Sequence, residues 1–295
     1  MLKVGIYGQY YHENSEVYIQ QIFDVLQKKN VSIHIEENFL RLTEENIRMH
    51  NYFSELPTFS KLDKSFDLFF SIGGDGTTLR AVTFVRDLEI PIVAINTGRL
   101  GFMATLQKEN IIDGLEQILR GEYVISKRSL LSVQTDIHEE SIEKLNIALN
   151  EVTVNRKDTT SMIKVHTEID GCHITSYWAD GLIVSTPTGS TGYSLSCGGP
   201  VIDPKTKSFV ITPIAPHNLN ARPLVIPDSS TVRLTVTTRS ESFLTSLDSR
   251  TATLPNETTI EVKKAPYKIS LIQITENSFF NTLRKKLLWG EDKRN

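Results

Sequence analysis

One acid stands among three glycines at Gly73-Gly74-Asp75-Gly76-Thr77, directly after the apolar run Asp67–Ile72 and before a stretch with helical spacing, Thr77–Asp87. Glycines at a strand-to-helix junction let backbone N–H groups approach phosphate oxygens, and the helix N-terminus adds about half a positive charge. A carboxylate beside phosphates is repulsive unless a metal bridges it or it takes a proton. Asp75 is therefore a candidate general base or Mg²⁺ partner. The plain alternative is a turn with Asp as helix N-cap, which suits an isolated Asp-Gly better than three glycines around one acid. Arg80, on the first helical turn, is placed either to reach a phosphate or to lie on the surface.

A second constellation runs from Asp180 to Pro200, with seven Ser and Thr hydroxyls and five glycines. Hydroxyls and free N–H groups suit ribose and phosphate oxygens, and Tyr193 offers an aromatic face for a base. A flexible Ser/Gly linker is the competing reading; a buried strand leading straight in, and the non-repetitive order, argue against it. Between the two stretches, Asn150-Glu151 sits within the apolar run Ile147–Val154. A charge there needs a partner. The pair suits ribose hydroxyls, or is a β-edge polar pair, and Asp180 carries the same ambiguity.

Elements of two kinds must hold these residues. In the first half strand and helix patterns alternate: Leu2–Gly8, Glu13–Lys29, Ser32–Glu36, Asp67–Ile72, Thr77–Asp87, Ile90–Ile95 and Glu109–Arg120, with a polar stretch at 37–65. That order predicts a parallel sheet with helices on its faces. From about residue 129 short segments rich in β-branched residues predict a mainly β second domain. Helical spacing returns at the end, in Ser278–Trp289. The expected division is residues 1–128, completed by a helix within 278–295, and residues 129–277.

Composition excludes several classes. Ten of the 16 glycines fall within 73–101 and 181–199. The 39% hydrophobic and 23% charged content fits a globular chain. No apolar run is long enough for a bilayer, and the first residues do not read as a signal peptide. The two cysteines, Cys172 and Cys197, are expected as reduced thiols in a cytoplasmic protein. A net charge of −3 gives no reason to expect nucleic acid. No Gly-x-x-x-x-Gly-Lys-Ser/Thr loop, complete dinucleotide fingerprint, Gly-x-Ser-x-Gly elbow or His-x-x-x-His spacing occurs, and no protein metal ligands are expected.

Gly73–Thr77, Asn150-Glu151, Thr186–Tyr193, Gly198-Gly199-Pro200 and Asn96–Phe102 together resemble the NAD kinase family, from the first strand to the C-terminal helix. The first motif is shared with 6-phosphofructokinases and with diacylglycerol- and sphingosine-type lipid kinases; the 186–200 motif is the specific one. The resemblance implies an α/β domain of Rossmann-like parallel sheet followed by a mainly β domain, and phosphoryl transfer from ATP, with Mg²⁺, to the 2′-hydroxyl of the adenosine ribose of NAD. It implies Asp75 as base and Gly73, Gly74 and Gly76 at the phosphates; Arg80 stays a phosphate candidate on its position alone. It places Asn150, Glu151, Asp180, Thr188, Thr191, Gly192, Tyr193, Ser194, Leu195, Ser196 and Ala215 at the dinucleotide. A homodimer or homotetramer is expected. Departures are Cys197 for the usual alanine, Arg250 where many relatives have glutamine, and Trp178. The competing functions are a non-catalytic NAD(H)-binding regulator and a lipid kinase of the same superfamily.

Overall fold

The structure is a computed structural model that describes residues 1–9, 15–43, 53–157, 161–274 and 279–288. The chain divides into two compact units, Met1–Lys127 with Ile269–Asn295, and Arg128–Lys268.

The first unit is built on parallel strands β1 (Lys3–Gly8), β2 (Ser32–Glu36), β3 (Thr58–Phe59), β4 (Leu68–Ile72) and β5 (Ile92–Asn96), in the order β3-β2-β1-β4-β5. All five residues of β4 and of β5 are buried, as expected of central parallel strands covered on both faces. Leu271, near the end of the long strand Thr259–Gln273, pairs in parallel with Ile92, so the chain's return adds a strand beside β5. Helix α1 (Ser15–Lys28) buries Ile19, Ile22, Phe23 and Leu26, the three- and four-residue spacing of one helical face. Val4, Ile6, Phe23, Phe70, Val93 and Ile272 belong to one core.

Two expectations need correction here. Helix α2 (Glu37–Thr43) lies where the sequence reads only as polar. Its start is fixed by the buried Glu36 carboxylate, which accepts the Phe39 N–H at 2.8 Å, and Phe39 is fully buried. Helix α3 is Asp75–Val85, two residues earlier than the spacing predicts, so Asp75 is the first helical residue and Gly74 the cap. Residues 10–14 and 44–52, part of the predicted first helix and of the polar stretch, lie outside the described residues.

The second unit is mainly β. Six antiparallel strands run in the order Leu224–Pro227, Ser208–Ile214, Gly181–Ser185, Glu151–Asn155, Ser242–Leu247, Arg250–Pro255. Cys172–Ala179, Ile163–Ile169, Val232–Thr237 and the start of Thr259–Gln273 pair antiparallel in turn. Val165, Leu234, Val152, Val184, Ile211 and Phe243 share one core, the inward half of the alternating pattern.

Candidate functional site

In the first unit the chain leaves β4, turns at Gly73 and Gly74, and enters α3 at Asp75. Gly73 has φ 149°, and a Cβ there would meet Thr77 Oγ1 at 2.3 Å. Gly74 and Gly76 are exposed, and a Cβ on either would point into open space. The first N–H groups of a helix have no partner within it, so this open entrance is a ready anion site. Asp75 does not cap its own helix. Its carboxylate accepts the backbone N–H of Phe102 at 2.8 Å and of Met103 at 3.2 Å, one on each oxygen. Arg80 is exposed, one turn further along α3.

In the second unit Asn150-Glu151 does not lie in mid-strand. The run Ile147–Val154 is broken into Ile147–Ala148 and Glu151–Asn155, with a bend at Leu149–Asn150. Every backbone group freed by that bend must find another partner. The N–H groups of Leu149, Asn150 and Glu151 donate to the Asp248 carboxylate at 2.9, 2.8 and 3.2 Å. The Leu149 carbonyl accepts from Thr186 Oγ1 at 2.6 Å, and the Asn150 carbonyl from Thr186 N and Ser185 Oγ at 2.9 and 3.1 Å. Gly189 packs on the bend: a Cβ there would stand 2.2 Å from the Asn150 carbonyl oxygen.

The bend leaves two side-chain oxygens, Asn150 Oδ1 and Glu151 Oε2, buried and without a partner. Burial raises the Glu151 carboxyl to about 8, the nearby Asp248 charge adds to the shift, and the Tyr193 N–H opposes it. Burial pushes Asp248 up as well, but three N–H donors and the Arg250 charge oppose that rise. Of the two, Glu151 with its single donor is the one that holds the proton near neutrality. The Arg250 guanidinium donates to the carbonyls of Leu145 and Ile147, which fixes the chain just before the bend.

The 186–200 segment winds through a 3₁₀ turn at Gly189–Thr191 and a single helical turn at Tyr193–Ser196. Here several of the hydroxyls expected at a ligand are bonded within the segment or to its neighbours. Ser190 Oγ donates to the Pro187 carbonyl at 2.7 Å and accepts Ile202 N at 2.9 Å. Ser194 Oγ pairs with Thr212 Oγ1 at 2.8 Å, and Thr191 Oγ1 donates to the Thr188 carbonyl at 3.2 Å. Thr188 and Ser194 are buried, whereas Tyr193 and Ser196 are exposed and Thr191, Gly192 and Leu195 half-buried. A Cβ on Gly192 would lie 3.2 Å from Glu151 Oε2. Burial, Cys197 and the charges of Asp180 and Glu151 all raise the Tyr193 phenol. Asp180 itself is paired with Arg156 at 3.0 Å. Ala215, exposed with φ 43°, directly follows the strand whose Ile214 pairs with Gly181.

Residues 4–123 match the sequence profile of the ATP-NAD kinase N-terminal domain, and residues 149–274 that of the C-terminal domain. Curated proteins named NAD kinase align end to end. Those of Christiangramia forsetii and Flavobacterium psychrophilum are 57% and 53% identical over 294 residues, covering 100% of both chains. The chain belongs to the ATP-NAD kinase family. The fold agrees. A yeast NADH kinase solved in complex with NADH superposes with a TM-score of 0.83 at 21% identity, over 99% of this chain and 89% of that one. An Archaeoglobus fulgidus NAD kinase solved with ATP gives 0.75 at 23% identity, over 97% and 99%. The family's name carries the activity, a kinase acting on NAD.

Sequence reasoning missed three contributors: Asp248, the N–H groups of Phe102 and Met103, and Arg156. The turn signal at Asp248-Ser249, between two alternating strands, marks a hairpin. Nothing local says that its carboxylate reaches residues 149–151.

Proposed function

We propose that this chain transfers the γ-phosphate of ATP to the 2′-hydroxyl of the adenosine ribose of NAD, forming NADP and ADP. One observation carries the reading most: an open glycine entrance to α3 that holds a single carboxylate, oriented by two backbone N–H groups. Asp75 takes the proton of the hydroxyl, whose oxygen then attacks the γ-phosphorus as ADP leaves. Phosphoryl transfer is mainly positioning and charge stabilisation, to which a base adds roughly 10²–10⁴-fold. Gly73, Gly74, Gly76 and Arg80 serve the phosphates. The unpartnered oxygens of Asn150 and Glu151 suit ribose hydroxyls, and the exposed ring of Tyr193 suits a base. Asp180, Thr191, Gly192, Leu195, Ser196 and Ala215 complete the dinucleotide contacts, while Thr188 and Ser194 act chiefly by shaping the segment.

Mg²⁺ fits this donor set as a companion of ATP. Among the described residues no cluster of three His, Cys, Asp or Glu side chains could hold a metal. Mg²⁺ is commonly held by one or two carboxylates with substrate phosphates, and Asp75 is such a carboxylate. When bound it would neutralise charge on the phosphates.

No described helix is long and apolar enough to cross a membrane. A cytoplasmic location suits the unpaired Cys172 and Cys197. Exposed Ile174, Trp178, Leu224 and Val225 suit a homodimer or homotetramer, which light scattering would check.

The test is product formation with Mg²⁺, each of ATP and polyphosphate as donor, and each of NAD⁺, NADH and a diacylglycerol as acceptor. Phosphorylated dinucleotide supports the reading. Turnover of the lipid alone, or dinucleotide binding without turnover, overturns it.

A further inference from the structure

Gly98 and Gly101 belong to a motif, Asn96–Phe102, that the phosphate and dinucleotide roles leave unused. In the structure this segment closes on Asp75. Asn96, buried at the end of β5, ties the loop from within: its Nδ2 donates to the Arg99 carbonyl at 2.6 Å and its Oδ1 accepts Gly98 N at 2.8 Å. The loop then presents Phe102 N and Met103 N to the two oxygens of Asp75. Gly101 lies flat against the same carboxylate, where a Cβ would fall 2.0 Å from Oδ1 and 2.6 Å from the carboxyl carbon. The C-terminal helix, Phe279–Leu287, packs on the other side of Phe102. The rings of Phe102 and Phe279 are 6.5 Å apart, and Lys286 Nζ stands 4.6 Å over the Phe102 ring. Phe279 and Lys286 are two turns apart on one helical face.

We propose that this loop, seated by the C-terminal helix through Phe102, is the device that aims the Asp75 carboxylate at its substrate. Gly101, Phe102 and Met103 are positioning residues; Phe279 and Lys286 act one step further out. The inference rests on the reading of Asp75 as base. Two N–H donors and a wall without a side chain fix the plane of a group that otherwise rotates about two bonds. Each oxygen keeps a lone pair free to receive a proton. A displacement of about 1 Å in a reacting group can cost on the order of 10²-fold in rate.

The experiment compares Gly101→Ala, Lys286→Gln, Lys286→Arg and Asp75→Asn in the full chain, with kcat, KM for each substrate and melting temperature. Gly101→Ala is expected to lower kcat by about 10²-fold with both KM values within about twofold of wild type. Lys286→Gln is expected to lower kcat by about two- to fivefold, and Lys286→Arg, which keeps the cation over the ring, to restore it. Wild-type kcat in Gly101→Ala, or a loss taken up in KM, overturns the proposal. Should Gly101→Ala fail to fold, the Lys286 pair decides, and equal kcat in Gln and Arg variants overturns it. Asp75→Asn separates the two failures. If it stays active, the base assignment is wrong; if it is inactive beside a normal Gly101→Ala, only the positioning is wrong.

Discussion

Glu151 and Asp248 are two carboxyls in one buried neighbourhood, and their surroundings push them into different jobs. Asp248, with three N–H donors, is spent on the backbone. Glu151, raised to about 8 by burial and the Asp248 charge, keeps its proton near neutrality and leaves Oε2 for an incoming partner. The groups whose charges bear on it are Asp248, Tyr193 and Cys197. KM for NAD is therefore expected to rise as pH passes about 8, where a carboxylate replaces the neutral acid. Glu151→Gln mimics the protonated form. It is expected to keep a wild-type KM below that pH and to show no inflection above it; an unchanged inflection in the variant would assign the titration elsewhere. At this scale the sequence was legible where a residue type is rare in its surroundings, as with Asp75 among glycines. Hydroxyls are harder to read. Residue type alone does not tell a hydroxyl that meets a ligand from one that ties the turn: Ser190, Thr191 and Ser194 each hold a partner within the unit, because a tight turn of small residues must satisfy its own backbone.

The element that matters most in the second unit is the bend at Leu149–Asn150. From the sequence, Ile147–Val154 is one apolar strand, since every position but Asn150, Glu151 and Thr153 is hydrophobic. The break exists because Asp248, about a hundred positions onward, supplies acceptors to three consecutive N–H groups, and no local pattern encodes that. Asp248→Ala removes the two oxygens that accept all three N–H groups. At about 1 kcal/mol or more for each donor left buried, it is expected to lose roughly 3 kcal/mol of stability in urea unfolding. KM for NAD is expected to rise with it, because Asn150 and Glu151 lose their seat. A loss below about 1 kcal/mol would mean that water replaces the carboxylate. In the first unit the start of α2 was illegible for a similar reason: a buried acid, Glu36, caps it from the end of a strand.

For the whole molecule, the alternation of strand and helix followed by β-rich segments announced the two kinds of architecture. What it did not reveal is that one strand, Thr259–Gln273, pairs with antiparallel partners at its start and with the parallel sheet near its end. A pattern of periodicity reports which face is buried, not which neighbour buries it. The raised carboxyl also has a consequence for the fold as a whole. Between the unfolded value of 4.5 and the folded value of about 8, the native state holds a proton that the unfolded chain has lost. The stability from this group is full below about 4.5 and is lost as pH rises towards 8. Urea midpoints at pH 5 and 8.5 are expected to differ more for wild type than for Glu151→Gln. Equal differences would show that Glu151 titrates alike in both states.

On the proposed function, the carboxylate at the glycine entrance takes the proton of the NAD hydroxyl. The most direct test is single-turnover NADP formation from NAD, ATP and Mg²⁺ by wild type and Asp75→Asn, with melting temperature and NAD binding measured on the same samples. The expected result is a fall of about 10²–10⁴-fold in rate with binding and melting temperature held. A near-wild-type rate in Asp75→Asn would contradict it.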